Sequence, residues 1–272
     1  MAMTSERSEQ HPSEHQAPAP SRRPVWLGLL TFLLIVMVWE VLARFSGWSA
    51  QIFPDPFTVV ISMGQLVRDG TLLRHTVASL FRVTAGFYLA VLLGVPLGIL
   101  LGRLWMARSF LNPVIQFLRP ISPLAWIPLA MLWFGIGDPP AIFLIFLSSF
   151  FPMVVSTTVA VQSINPTYFQ VAANFKFTRR EMLTMLIIPA IVPEVVTALR
   201  LTITIAWLVV VAAEMIAVQS GLGYLILDAR NALRMDYVMD GMIVIGLIGI
   251  VLDSLVRRLG NIESASWGMK SR

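Results

Sequence analysis

The run SLFRVTAGFYLAVLLGVPLGILLG, residues 79–102, decides the fold class of this chain. From residue 81 to residue 104 the sequence is long and apolar enough for a helix to cross roughly 30 Å of hydrocarbon at about 1.5 Å per residue. Gly94, Gly98 and Gly102 recur about one helical turn apart, which lets a second helix approach the backbone closely. We therefore predict a membrane-spanning helix with a packing face on its glycine side.

Similar apolar runs follow along the chain, which is 57% hydrophobic and 13% charged. Soluble domains are about 45–50% apolar and about 25% charged, so water is not the only solvent of this protein. We predict membrane spans at residues 25–43, 81–104, 114–134, 141–161, 195–218 and 238–256. The expected fold class is an all-α integral membrane protein with six transmembrane helices.

The chain divides into four segments by composition. They are a polar tail (residues 1–24), the first span with an amphipathic stretch (25–78), a core transmembrane domain (79–260) and a C-terminal tail (261–272). The first tail buries too little apolar surface to fold, and we expect it to be disordered. In the second segment Val59, Met63 and Val67 repeat at helical spacing, which predicts a helix lying along the outer face.

The basic residues predict the orientation in the membrane. Arg22 and Arg23 precede the first span, and most of the remaining basic residues also fall on the side of the termini, whereas Arg82 is assigned to the outer side. Cytoplasmic loops of membrane proteins carry the excess of Lys and Arg. We therefore expect a multi-pass protein of the inner membrane with both termini in the cytoplasm. The net charge of +5 forms no sustained basic stripe, which argues against nucleic-acid binding.

Several chemistries are excluded by composition. The chain has no cysteine, so disulfides, thiol catalysis and cysteine-based metal sites are ruled out, and its three histidines are scattered. We expect no metal site and no catalytic residues. The lysines, Lys176 and Lys270, do not follow a glycine as a phosphate-binding P-loop requires, so this chain does not hydrolyse ATP.

The loop between the fourth and fifth spans is SINPTYFQVAANFKFTRREMLTMLIIPAIVPE, residues 163–194. It predicts two short helices. Asn165 can cap the first, with Pro166 at its first helical position, and Thr178 forms a capping-box pattern with Glu181 for the second. One face of the first helix is apolar, through Tyr168, Val171, Ala172 and Phe175. That face packs either against the protein's own bundle or into a groove on a soluble partner, and the sequence leaves both possibilities open.

The same loop resembles the EAA loop of permeases from ATP-binding-cassette importers. The pattern opens with Glu-Ala-Ala, continues with a glycine and ends on Leu-Pro. In this chain Ala172 fits the second alanine, and Leu186, Ile188 and Pro189 fit the end. The departures are Gln170 for the glutamate, Val171 for the first alanine and Lys176 for the glycine.

The resemblance extends over most of residues 25–260, in the family's order. The further segments are SLFRVTAGFYLAVLLGVPLGILLG (79–102), LRPISPLAWIPLAMLWFGIGDPPAIFLIF (118–146) and LRLTITIAWLVVVAAEMIAVQSGLGYLI (199–226). They look like the permeases of nitrate, sulfonate, taurine and bicarbonate importers. The resemblance implies a MetI-like (type I importer) bundle, a homodimer, a separate ATPase that holds ATP and Mg²⁺, and a periplasmic substrate-binding protein.

The resemblance implies that residues of this loop contact the ATPase. The expected coupling residues are Tyr168, Gln170, Val171, Ala172, Phe175 and Lys176. Because Gln170 is neutral, an ion pair made by the family's glutamate would become a neutral hydrogen bond here.

Ionisable residues inside spans are costly, so each needs an explanation. These residues are Glu40, Arg119, Glu214 and Asp253. They can form structural ion pairs, extend their charges toward the interface, or line the substrate path. Arg119, with Ser122 and Trp126 at the proline break of the third span, is the predicted substrate-path group, since a guanidinium can hydrogen-bond an oxyanion at two points.

Two other functions are compatible with a polytopic chain. A secondary transporter driven by an ion gradient is the main alternative, although an internal repeat and midplane acidic residues, which are typical of that class, are not evident. The second alternative function is that of a membrane scaffold with no transport role. ATPase and binding-protein genes beside this one would argue against both.

Overall fold

The structure is a computed structural model that describes residues 25–45, 47–49 and 51–266, with side chains from residue 26 to residue 256. The predicted tail at 1–24 lies outside these residues, as does 267–272 of the predicted C-terminal tail. The described regular elements are all helical. They are α1 (Val25–Phe45), α2 (Pro56–Arg68), α3 (Thr71–Arg103), α4 (Trp105–Leu118), α5 (Ile127–Phe134), α6 (Asp138–Gln162), α7 (Pro166–Asn174), α8 (Arg179–Glu181), α9 (Ile188–Ala217), α10 (Leu222–Asn231) and α11 (Met235–Ser266), with a 3₁₀ turn at Pro123–Trp126 and a wide π turn at Met182–Ile187.

The chain forms two compact units. The first ends at Gly47, and its described helix is α1, which is long and apolar enough to cross a membrane. Its apolar side chains, such as Phe32 and Leu33, are exposed, as suits contact with lipid. The predicted first span is confirmed. Within it Glu40 pairs with Arg44 one turn later, at 2.5 Å.

The second unit contains the remaining spans. In the part of the chain that the structure describes, α3, α6, α11 and the continuous helix Arg179–Ala217 pass the length and hydropathy test for a membrane span. α4 and the segment Pro123–Phe134, which includes α5, pass it together. They are bent by 87° at a break that contains Pro120 and ends at Pro123. A break here follows from proline chemistry, since each ring removes a helical N–H donor. The predicted all-α fold is confirmed. The described residues contain five single-helix spans, and the number is six when the bent pair is counted as the third span.

Three local predictions need correction. α3 begins at Thr71 instead of residue 81, because polar residues that lower its early hydropathy face the interior of the bundle. On α2 the buried positions include Val59 and Leu66, whereas Val67 is 59% exposed, so the apolar face is rotated from the predicted one. The short helix α10 was not predicted, since its ten residues are too few to form a span.

The glycines of α3 pack against α6. A methyl group at Gly98 would overlap Thr157, and one at Gly102 would overlap Val161, so the two backbones lie too close for larger residues. The Thr158 hydroxyl also donates to the Gly98 carbonyl oxygen at 3.2 Å. The predicted packing face is confirmed, and it joins α3 to α6 along most of their length.

Candidate functional site

The loop helix α7 is capped as its sequence predicts. The Asn165 side-chain oxygen accepts from the Thr167 backbone N–H at 2.9 Å, with Pro166 in the first helical position. At α8, the Thr178 N–H donates to a Glu181 carboxylate oxygen at 2.7 Å, and the Glu181 N–H donates to the Thr178 hydroxyl at 3.3 Å. Both capping predictions are confirmed. Caps of this kind fix short helices that would not be stable alone.

The predicted apolar face of α7 divides into a buried edge and an exposed face. Ala172 is only 4% exposed, and it lies on the side of Phe169, which packs on the core cluster that contains Ile164. By contrast Phe175 is 74% exposed, and the same face carries Tyr168 and Val171, at 60% and 45%. The expectation of one uniform face is corrected, because Ala172 is small enough to let α7 lie against the bundle. The three exposed residues are called the docking face below.

Two further predicted coupling residues are Gln170 and Lys176. Gln170 is exposed in the middle of α7, and Lys176 follows its end. Lys176 adopts a left-handed backbone with φ of 55°. The N–H of Lys176 donates to Ala173 O and that of Phe177 to Ala172 O, which is the Schellman end of a helix. Lys176 is the position where the EAA pattern has glycine, and glycine is the residue that adopts this conformation without strain.

The break between α4 and α5 borders a cavity of about 200 Å³. Arg119 and Trp126 line it, together with Ser148 from α6 and Val209 from α9. Ser122 is exposed and lies outside the lining. The structure therefore brings together two of the three residues predicted for the substrate path, in a mainly apolar enclosure with one guanidinium.

In the first half of α3 lies an ionic group that we call the Arg82 cluster: Arg82, Asp138, Glu214, Ser79 and Ser220. Asp138 lies at its edge and is half exposed. Arg82 is 1% exposed and Glu214 is fully buried. The Arg82 guanidinium donates to Glu214 Oε1 at 2.7 Å and, through two nitrogens, to Asp138 Oδ1 at 2.8 and 2.6 Å. Its remaining N–H groups reach the carbonyl and hydroxyl oxygens of Ser220. All five guanidinium donors are thus used.

The same cluster caps α10. The Gly223 N–H donates to Glu214 Oε2 at 3.0 Å, and the Leu222 N–H donates to the Ser79 hydroxyl at 2.9 Å. The preceding N–H, of Gly221, donates to His75 Nδ1 at 3.0 Å. Orphan N–H groups at a helix start carry partial positive charge, so a buried carboxylate there stabilises the helix. Side chains of α3 and α9 therefore position α10.

Sequence reasoning missed Arg82 as a site residue. An arginine at the start of an apolar run is typical of a loop charge, and its carboxylate partners lie far along the chain. Glu214 and Asp253 were recognised as unusual, and both form ion pairs, the second with Arg200 at 2.8 Å. Burial of charge at low dielectric requires such a partner. The signal available in the sequence was therefore Glu214, which predicted a partner without naming it.

Comparison with known proteins identifies the family. The family model described as "Binding-protein-dependent transport system inner membrane component" matches residues 94–262. The taurine transport system permease protein TauC of Escherichia coli is 35% identical over 88% of this chain and 89% of its own length. The nitrate import permease protein NrtB of Leptolyngbya laminosa is 35% identical over 84% of this chain and 83% of its own length.

A solved structure shares the fold. The bacterial alginate ABC transporter, crystallised with its alginate-bound periplasmic protein, aligns with a TM-score of 0.59 at 16% identity, over 86% of this chain and 93% of that one. Fold and sequence thus define a membrane component of a transport system. The chain belongs to the family of binding-protein-dependent transport system inner membrane components. The resemblance to importer permeases is confirmed.

Proposed function

We propose that this chain is the permease subunit of an ATP-binding-cassette importer for a small anion of the sulfonate or nitrate class. The observation that carries the proposal is α7, which is anchored through Phe169 and Ala172 while its docking face stays exposed. A capped helix with exposed aromatic side chains outside the apolar spans fits a groove on a soluble partner. The named substrates of the relatives, taurine and nitrate, support the anion class.

The partner that we infer for the docking face is a separate ATP-binding subunit, which would hold ATP and Mg²⁺. Gln170 and Lys176 lie beside the exposed aromatic residues and would form the polar rim of the contact. Interfaces of this kind draw most of their binding energy from a few aromatic anchors, here Tyr168 and Phe175. The chain itself would then be a transport subunit and not an enzyme.

The proposed orientation places α7 in the cytoplasm. Arg103 and Arg108 line a cavity together with Phe169 of α7, and Arg179 and Arg180 follow α7 in the chain. Such an excess of arginine at one end is typical of the cytoplasmic side. The Arg82 cluster would then lie near the outer surface of the inner membrane, and both termini would be cytoplasmic.

A movement of α7 would be carried through the bundle by helices that are joined at both ends. The core cluster under α7 includes Ile164 after α6 and Ile191 in α9, while the α3 glycines hold α3 to α6. At the far end Arg82 ties α3 to α6 and α9. We propose that closure of the ATPase tilts these three helices as one body.

The substrate path is proposed to pass the cavity at the bent third span. Arg119 supplies a positive charge there, and a guanidinium can bind two oxygens of a sulfonate or nitrate group. The adjacent α5 exposes Leu132 (78%), and the turn after it exposes Ile136 (72%), which suits contact with a second copy of the chain. A homodimer with a periplasmic binding protein at its outer face would complete the importer.

The first experiment is copurification of the permease with a candidate ATP-binding subunit from the same genome, followed by measurement of ATP hydrolysis in lipid. Phe175→Ala together with Gln170→Ala is expected to reduce ATPase binding about tenfold or more, because an anchor side chain is lost. Phe57→Ala on α2, which is 70% exposed, is the matched control and should bind as the wild type does. Wild-type chain that copurifies no ATPase but accumulates anion under an ion gradient would show a secondary transporter instead.

The substrate class is tested by uptake into proteoliposomes. Arg119→Gln is expected to lower uptake of taurine or nitrate while leaving ATPase binding unchanged, since the docking face is untouched. Arg68→Gln, an exposed arginine at the end of α2, controls for loss of charge. Uptake by Arg119→Gln equal to that of the wild type would remove this residue from the path.

A further inference from the structure

A second cavity, of about 490 Å³, lies where the end of α3, the start of α4, the end of α6 and the start of α7 meet. Its polar lining side chains are Arg103, Arg108, Gln162 and Gln170. No Asp or Glu is among the described residues that line it. The cavity therefore offers two guanidinium groups and two amides, which is a lining suited to an anion with several oxygens.

Neither arginine of this cavity forms an ion pair within the part of the chain that the structure describes. Arg103 lies instead over the ring of Phe169, with 4.5 Å from its guanidinium carbon to the ring centroid. A cation–π contact holds the guanidinium in place and leaves its N–H edge available. Arg82 has no free N–H edge of this kind, because each of its guanidinium N–H groups is hydrogen-bonded within the protein.

The residues around the cavity are of the kind found at the level of lipid headgroups. Arg103 ends the apolar run of α3, and the next helix exposes Trp105 (70%), Met106 (79%) and Phe110 (80%). Tryptophan next to arginine at the end of an apolar span is typical of the membrane interface. Basic pockets between helices on the cytoplasmic side are known to suit anionic lipid headgroups.

Gln170 increases the positive charge of the cavity relative to the EAA pattern. The pattern has glutamate at this position, and a carboxylate on the rim would offset one of the two arginines. With glutamine the rim is neutral, and its amide N–H can donate to a phosphate oxygen.

We propose that this cavity binds the phosphate group of an anionic phospholipid of the inner leaflet. Bound there, the lipid contacts both the end of α3 and the loop helix that carries the docking face, so the lipid composition affects the contact with the ATPase. The lipid site itself depends on the proposed function in placing α7 on the cytoplasmic side, and the effect on the ATPase depends also on the proposed docking of that subunit.

The test measures lipid retention by native mass spectrometry of the full-length chain, extracted from bilayers of phosphatidylcholine with a minor fraction of phosphatidylglycerol. Arg103→Gln together with Arg108→Gln is expected to reduce retained phosphatidylglycerol roughly 10- to 30-fold, from the loss of two basic contacts at the membrane surface. Gln170→Glu should reduce it as well, because it restores a carboxylate to the rim. Arg68→Gln together with Arg74→Gln, two exposed arginines whose replacement gives the same charge change elsewhere, should leave retention unchanged.

Three results would overturn the lipid site. Retention in the double arginine variant equal to that of the wild type would show that the lipid binds elsewhere. Displacement of the lipid by inorganic phosphate at equal concentration would assign the cavity to a free anion. Loss of ATPase copurification in the double variant, with lipid retention intact, would assign the arginines to an acidic surface of the partner. Since retention is measured without ATPase or substrate, its failure is distinguishable from failure of the transport proposal.

Discussion

The two ends of the bundle differ in whether their functional side chains are bonded within the chain or left exposed. At the Arg82 cluster every donor of a buried guanidinium is bonded within the chain, and the cluster also caps α10. At the docking face, aromatic and aliphatic side chains remain exposed on a helix whose other edge is buried. One end is built from interactions that are complete in a single chain. The other leaves an apolar surface that a partner can cover.

The helices α3, α6 and α9 extend from the Arg82 cluster to the loop helix α7. From Arg82 to Arg103, α3 rises roughly 30 Å at 1.5 Å per residue, which is about the thickness of the hydrocarbon layer. α6 and α9 share this span, since Asp138 and Glu214 lie at the cluster while Ile164 and Ile191 lie under α7. The comparison therefore separates a cluster that holds the helices of the bundle together from an exposed surface that we propose as the contact with a partner.

The largest effect is expected from Arg82→Gln. The change leaves the fully buried Glu214 without its cationic partner, and breaking a buried ion pair by removing one partner costs about 3–5 kcal/mol. Thermal unfolding of the full-length chain in detergent, followed by size-exclusion fluorescence, would show a much lower midpoint. Arg68→Gln, at an exposed position, is the control and should unfold near the wild-type temperature.

A double substitution sharpens this result. Arg82→Met with Glu214→Leu removes both charges and should recover much of the lost stability, since apolar replacements of buried ion pairs are often neutral or stabilising. If the double variant is as unstable as Arg82→Gln, the main contribution to stability comes instead from the bonds to Asp138 and Ser220 and from the cap of α10.

A smaller loss of stability is expected from Gly98→Val at the α3–α6 contact. The added side chain would overlap Thr157 and the Val154 carbonyl, and overpacking of this kind costs about 1–3 kcal/mol. Gly64→Val on α2 is the matched control, because nothing lies within 4 Å of a Cβ at that position. Equal unfolding temperatures for the two variants would show that α3 and α6 can separate without cost.

The elements that the sequence predicted well are those set by local chemistry. Apolar runs located the spans because a helix in lipid must be long and apolar, and Asn165 and Thr178 marked helix starts through their side-chain oxygens. What was missed depends on contacts between distant segments. The role of Arg82 rests on Glu214 and Asp138, and no periodicity near Arg82 indicates either partner.

The division of α7 into a buried edge and an exposed face was predicted only in part, for a related reason. Helical spacing placed Ala172 with Tyr168 and Phe175 on one apolar face, and spacing alone cannot tell which edge the bundle covers. The size of the residue carries that information, because alanine lets another helix approach closely. The substrate-path role of Arg119 was predicted from the proline break and stays a prediction, whereas the cavity beside Arg119 has walls from α6 and α9 that the break does not indicate.

Phe169 on α7 and Phe175, the residue that follows it, test the division of that helix directly. Phe169→Ala should lower stability by about 1 kcal/mol, as expected for a partly buried aromatic side chain, and it also frees Arg103. Phe175→Ala should leave the unfolding midpoint unchanged and weaken ATPase copurification, because its ring is exposed in the chain alone. The reverse pattern, with Phe175 important for stability and Phe169 for binding, would contradict the assignment of the two faces.

The smallest effect, and the one of opposite sign, is expected from Lys176→Gly at the end of α7. Lys176 has a positive φ, and a residue with a Cβ is disfavoured there by roughly 1 kcal/mol relative to glycine. Lys176→Ala is the matched control, since it removes the same charge and keeps the Cβ. Hydrogen exchange at the amides of residues 176 and 177, which close the helix end, should slow in the glycine variant relative to the alanine variant. Equal exchange in the two would mean that the strain at this position is negligible, and that the chain departs from the glycine of the EAA pattern without a cost to the loop that carries the docking face.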